Sequence, residues 1–155
     1  MSIELARKGL EQFGLTDNIV ELDTSSATVE LAASALNCHP GQIAKTLAIS
    51  LKDGYMLLVT SGDTRIDNKK FKAIFTTRPK MLSPEETATI IGHEVGGVCP
   101  FGVDESIAIY LDESLKRYEI VHPACGSSNS LIRLTIRQLE ETSKARDWID
   151  VCIIP

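Results

Sequence analysis

Lys45 stands in the uncharged run Gln42-Ile43-Ala44-Lys45-Thr46-Leu47, where an alternating apolar segment begins. An ammonium there is either a surface lysine whose stem lies along apolar neighbours or a point charge aimed at an anion such as phosphate. A second segment, Gly92-His93-Glu94-Val95-Gly96-Gly97-Val98-Cys99-Pro100-Phe101-Gly102, holds four of the 10 glycines of the chain. Glycine has no side chain to keep a ligand away, so such a loop exposes backbone N–H and C=O groups at close range. The same composition also suits an irregular crossover between a helix and a strand. Cys99 within it is a candidate thiol nucleophile, although no flanking cation marks it as activated. A third segment, Ala124-Cys125-Gly126-Ser127-Ser128-Asn129, has the small polar residues of a turn, with Asn129 as a candidate substrate contact.

Commoner chemistries are excluded by their spacing. Gly126-Ser127-Ser128 lacks the second glycine of a nucleophile elbow, and no histidine has the context of a triad partner. His93-Glu94-Val95-Gly96-Gly97 begins like a zinc-protease helix, but glycine stands where the second ligand belongs. The phosphate-binding GxxxxGK[ST] and GxGxxG loops are missing, and no histidines or cysteines pair at short ligand spacing. No metal and no cofactor is expected.

The elements that must position these residues follow from periodicity and punctuation. Ile3, Ala6, Leu10 and Phe13 share a helical face closed by Gly14, and Asn18 to Leu22 reads as a short strand. Val29 to Leu36 reads as a helix stopped by Asn37 and Pro40-Gly41. Ala44 to Leu51 and Tyr55 to Thr60 read as a hairpin turned at Asp53-Gly54. Ser83-Pro84-Glu85-Glu86 is a capping box that starts a helix running to Ile91. Strands are expected over 107–111, 118–121, 131–135 and 149–153, with a short charged helix through Leu139. The mixed order implies an α+β fold: a single compact domain with a mixed, mainly antiparallel, barrel-like sheet and surrounding helices.

Composition sets outer bounds. The chain has 155 residues, 43% of them hydrophobic, enough for one domain with a core. A formal net charge of -5 excludes a uniformly basic coat, yet Arg65 to Lys80 holds six basic residues against Asp67 alone. Apolar runs are far shorter than a membrane span needs, so no membrane partner is expected. The amino terminus lacks the pattern of an export signal, and the four cysteines are scattered, which together favour reduced thiols and a cytoplasmic location.

Taken in order, Ile43-Ala44-Lys45-Thr46-Leu47, the GxxxP loop Gly96-Gly97-Val98-Cys99-Pro100-Phe101-Gly102, and Gly126-Ser127-Ser128-Asn129 resemble the YbaK and prolyl-tRNA synthetase associated editing-domain family. Thr28-Val29, Asp67 with Lys69-Lys70, and Asp112-Glu113-Ser114-Leu115 extend the resemblance, so that residues 1–155 are expected to form one such domain. The resemblance implies a deacylase that acts in trans on mischarged tRNA-Pro or a related tRNA, with water attack assisted by the ribose 2'-hydroxyl. It implies catalytic roles for Lys45, Gly96 and Gly97, and substrate contacts from Thr46, Val98, Cys99, Pro100, Gly126, Ser127 and Asn129. Lys69, Lys70 and Lys72 would track the RNA backbone, while Val29 and Leu47 are candidates for an apolar wall. The implied partners are a tRNA acceptor end and an aminoacyl-tRNA synthetase, with no DNA. A β-branched residue at Gly96 or Gly97 is expected to impair turnover more than folding.

Such chemistry suits this set of residues, because an aminoacyl ester is already activated and needs oriented water and a stabilised oxyanion. Synthetase pockets reject a missing methylene only about 10- to 200-fold, which is why a second site is needed. One departure bears on specificity. Synthetase-inserted members carry a histidine shortly after the third segment, whereas Ser130-Leu131-Ile132-Arg133 has none, so the resemblance does not by itself imply their alanine preference. The alternative function is a non-catalytic module that binds aminoacylated RNA or small amino-acid esters.

Overall fold

The computed structural model describes residues 2–155. Helical spacing of apolar residues winds Ser2–Glu11 into α1, which buries Ala6 and Leu10. β1 (Ile19–Glu21) follows, then α2 (Val29–Leu36), whose first turn is capped by Thr28 Oγ1 accepting from the Leu31 N–H at 3.2 Å. Asn37, in the left-handed region at φ 52°, ends α2 where the sequence places its stop.

β2 (Ile43–Leu51) and β3 (Gly54–Ser61) form the expected hairpin, with Leu51 opposite Gly54 and Ala44 opposite Ser61. Direct opposition of Leu51 and Gly54 leaves Lys52 and Asp53 as the corner, one residue earlier than Asp53-Gly54. Next come β4 (Arg65–Ile66), α3 (Asn68–Phe75), β5 (Lys80–Met81) and α4 (Pro84–Glu86). The Ser83 capping box forms as read, but the helix continues from Thr87 to Ile91 as a wider π turn ended by Gly92 at φ 89°. α3 was not among the expected helices; its signal is the Asp67 cap, whose carboxylate accepts from the Lys69 and Lys70 N–H groups.

β6 (Ala108–Asp112), a 3-10 turn at Glu113–Arg117, and β7 (Ile120–Pro123) lead to β8 (Ser130–Ile132), β9 (Leu134–Thr135) and α5 (Ile136–Ser143). The expected final strand is split into β10 (Asp147–Ile149) and β11 (Cys152–Ile153), because the Val151 N–H turns inward to Asp112 Oδ1. The main sheet runs β10-β6-β3-β2-β7-β9, with β5 on the far end of β2. It is a curled, mixed sheet in a single α+β domain with five helices among the described residues. Three of its pairs are parallel: β10 with β6, β6 with β3, and β7 with β2. One core packs Leu10, Phe101, Leu111, Val121 and Leu139, and another packs Ile49, Met56 and Leu58 under Phe71 of α3.

Candidate functional site

β3 pairs with β2 along nearly its whole length, but the other edge of β2 is covered only at its ends. β7 lies opposite Ile43 and Ala44, and β5 opposite Ile49 and Ser50. The two-residue hairpin makes Leu51 and Gly54 a hydrogen-bonded pair, so odd-numbered residues of β2 bond to β3 and even-numbered ones point away. Ala48 follows this rule, its C=O accepting from the Leu82 N–H at 3.0 Å. Thr46 follows it too, yet it sits opposite neither β7 nor β5. Its N–H and C=O therefore face a gap in the sheet, and its buried Oγ1 has no hydrogen-bond partner among the described residues.

Proline bounds the gap on one side. β7 stops at Pro123, which has no N–H to extend the ladder. On the other side the chain leaves β2 after Leu82 and enters the Ser83-capped α4. The space between is a cleft of about 330 Å³ whose floor is Ile43 to Ala48. Ser26 to Val29 form one wall, and Val95, Gly96, Val98 and Thr87 form another. Met81, Leu82, Pro84, Ala124 and Leu131 complete a mainly apolar lining, and Val29 and Leu47 are both part of it.

Lys45 lines the same cleft and is half-buried, with its Nζ donating to the Thr64 C=O. Burial pushes its pKa down, while Cys152, Asp63 and Glu30 pull it back up. Since the ammonium has three donors and one is assigned to Thr64, donors remain for an anionic ligand.

The glycine segments meet here, but mostly as scaffold. Gly96, at φ 94°, forms part of the wall, where an added Cβ would sit 3.2 Å from the Ala27 Cβ. At Gly97 a Cβ would lie 2.4 Å from the Ser127 backbone N, and the Gly97 C=O accepts from the Gly126 N–H at 2.9 Å. Gly97 is thus the dock between two loops rather than a surface of the cleft. The Ser128 and Asn129 carbonyls in turn accept from Ser26 and Leu22 N–H groups at 2.6 and 2.7 Å, stitching the Ser26 wall to the same turn.

Of the ten residues expected to be catalytic or substrate-binding, the structure brings Lys45, Thr46, Gly96 and Val98 to the cleft. Gly126, Ser127 and Asn129 do not line it. Asn129 Nδ2 donates to the Leu22 C=O at 3.0 Å, and Ser127 Oγ lies 2.9 Å from Asn129 Oδ1 and 2.6 Å from Ser130 Oγ. Cys99 has no exposed surface, its Sγ lies 3.5 Å from His93 Nε2, and burial pushes its thiol well up, opposite to the activation a thiol nucleophile needs. Pro100 faces a second depression of about 280 Å³ behind the loop. On α3, Lys69, Lys70 and Lys72 are all exposed, and Lys70 Nζ also donates to Asp150 Oδ1 at 3.0 Å and to the Cys152 C=O at 3.1 Å.

The sequence of residues 23–142 matches the aminoacyl-tRNA editing domain family. The chain belongs to the aminoacyl-tRNA editing domain family. A Bacillus subtilis (strain 168) relative, the uncharacterized protein YwhH, is 46% identical over 98% of both chains. The proline–tRNA ligase of Geobacillus sp. (strain WCH70) is 34% identical over 65% of this chain, which corresponds to 18% of that longer enzyme. A crystal structure described as a candidate trans-editing enzyme for prolyl tRNA synthetase superposes with a TM-score of 0.86 and 32% identity, covering 97% of this chain and 96% of the other.

In this editing domain the lining residues Ser26, Ala27, Thr87, Val95 and Ala124 were not expected from sequence. Ser26, Ala27 and Thr87 lie outside the three segments picked out by residue type, Val95 and Ala124 lie within them, and all five reach the cleft because β7 and β5 leave β2 exposed. Among the described residues, no group of three or more His, Cys, Asp or Glu side chains is placed to hold a metal ion, and no helix is long and apolar enough to cross a membrane.

Proposed function

We propose that this chain is a trans-acting deacylase that hydrolyses the ester of mischarged tRNA, with tRNA-Pro or a related tRNA as carrier. The observation that carries the reading is the Thr46 gap: an apolar cleft floored by an unpaired strand edge, with Lys45 beside it. Family membership and the likeness to a candidate trans-editing enzyme support the choice of substrate.

An aminoacylated RNA end presents an apolar side chain, an α-ammonium, an ester carbonyl, a ribose hydroxyl and a phosphate. The cleft offers a complementary group for each. Val29, Leu47 and Leu131 surround the side chain, and the Thr46 C=O accepts from the α-ammonium. The Thr46 N–H donates to the ester oxygen as negative charge develops on it. The Lys45 ammonium pairs with the phosphate or ribose of the terminal nucleotide. A water oxygen bonds to the ester carbon, and the ester's C–O bond to ribose then breaks. The departing ribose oxygen takes the proton that water loses, relayed by the neighbouring ribose hydroxyl. Free amino acid and intact tRNA leave.

Incubating the protein with tRNA-Pro charged with alanine, cysteine or serine tests the reading. At least one ester is expected to disappear faster than in buffer. Salt-sensitive binding without turnover across the panel would instead select the non-catalytic binding module.

A further inference from the structure

The Lys45 ammonium is tethered to a turn that is itself gripped from outside the cleft. Its Nζ donates to the C=O of Thr64, at the end of the turn that follows β3. That turn is closed by the Thr64 N–H and Oγ1, which reach the Ser61 C=O at 3.2 and 2.7 Å. Arg117, at the end of the 3-10 turn after β6, spans both oxygens of Asp63 in the same turn, at 2.6 and 3.3 Å. Its fork also donates to Ser61 Oγ at 2.9 Å, and its Nε to the Ser114 C=O at 3.0 Å, which sets the plane of the guanidinium.

Asp63 is only 15% exposed at its side chain, and with Glu30 it is one of the carboxylates that act on Lys45. A carboxylate held this far from water needs a partner. With Arg117 gone, the Lys45 ammonium is a cation already within its field.

We infer that Arg117 is a positioning residue for Lys45. It occupies both oxygens of Asp63, so that this carboxylate does not capture the Lys45 ammonium, and it steadies the Thr64 carbonyl that tethers it. No motif joins these residues, since Lys45, Asp63 and Arg117 come from separate elements. The kinetic readout rests on the deacylase reading above.

The test compares Arg117→Ala, Asp63→Asn and the double variant in the full chain. The probes are the ester cleaved fastest in the panel and NMR titration of the Lys45 side-chain ammonium. Arg117→Ala is expected to lower kcat about tenfold to a hundredfold with little change in KM, as misplaced catalytic groups do. It is also expected to raise the Lys45 pKa. Adding Asp63→Asn is expected to restore most of both, a non-additive outcome that a purely structural arginine would not produce. A double variant no better than Arg117→Ala, or an Arg117→Ala protein with undiminished kcat, overturns the inference. If Arg117→Ala does not fold, Arg117→Lys keeps the charge while losing the fork, and its smaller loss is expected to be relieved by Asp63→Asn in the same way. Should the wild-type chain cleave nothing, the deacylase reading falls separately. The titration still decides: a Lys45 pKa unmoved by Arg117→Ala, or by Arg117→Lys where that variant is used, overturns the inference.

Discussion

Lys45 is held between two opposing effects, since half-burial disfavours its charge while the surrounding Cys152, Asp63 and Glu30 favour it. Removing the ammonium while keeping the stem separates binding chemistry from packing. Lys45→Met is expected to slow single-turnover deacylation roughly 100-fold, the scale of losing one electrostatic contact to a developing charge. Its thermal midpoint should hold or rise, because a desolvated charge has been removed. Gly97 behaves oppositely. With backbone 2.4 Å from where its Cβ would stand, Gly97→Val should lose at least about 2 kcal/mol in urea unfolding, as overpacked sites do. The expectation that Gly97 variants would harm turnover more than folding is therefore reversed. At Gly96 the nearest atom to an added Cβ is a side-chain carbon at 3.2 Å, and its positive φ makes Gly96→Ala cost about 1 kcal/mol while narrowing the cleft.

Among the elements, α3 divides the basic segment into two kinds of lysine. Lys70 is clamped to Asp150 and the Cys152 C=O, tying α3 to β11, so Lys70→Gln should lower stability and leave RNA affinity nearly unchanged. All three lysines are exposed, but Lys69 and Lys72 have no ion pair among the described residues and so are the two more available to phosphates. Neutralising both as glutamine should reduce the slope of log affinity against log salt by about 1.4 to 1.8, at about 0.7 to 0.9 per phosphate contact. A filter-binding series across salt concentrations measures it, and an unchanged slope would remove α3 from the RNA footprint. The ion pair sets Lys70 apart from Lys69 and Lys72 within the same exposed surface. Helical spacing of Phe71 and Phe75 after the Asp67 cap carries the signal for α3, but the charge run was the more visible feature of the segment.

For the molecule as a whole, acid stability depends on buried histidine. His93 has no exposed surface, and burial holds its pKa below the ordinary 6.5 even though its Nε2 lies 2.8 Å from the Phe101 C=O. Burial, with Arg133 nearby, lowers His122 in the same way. Unfolded, both take up protons near 6.5; folded, they resist, so the unfolded state binds more protons between the lowered values and 6.5. Stability is thus fully present above that value and lost as pH falls through it. Urea midpoints should drop between about pH 7 and pH 5, where few carboxylates titrate. A His93→Gln, His122→Gln double variant should lose most of that drop, and an equally steep fall in the variant would place the acid sensitivity elsewhere.

Features that depend on neighbours three or four residues away were legible in the sequence. Asn37 ends α2, the Ser83 box starts α4, and two-residue alternation marks the hairpin, because caps and periodicity are satisfied within one turn or one strand pair. Lys45 and the glycine segments could be picked out by residue type, and their order carried the family resemblance. What no local pattern holds is which edge of a strand stays unpaired. The Thr46 gap exists because β7 ends at Pro123 and β5 pairs only from Ile49 onward, contacts that join residues far apart along the chain. Tertiary packing likewise buried Cys99 and moved Gly97, Ser127 and Asn129 from the cleft into its scaffold. Residue type and order limited which groups could do chemistry; only the closing of the sheet decided which backbone amide, and which side of each loop, faces the cleft.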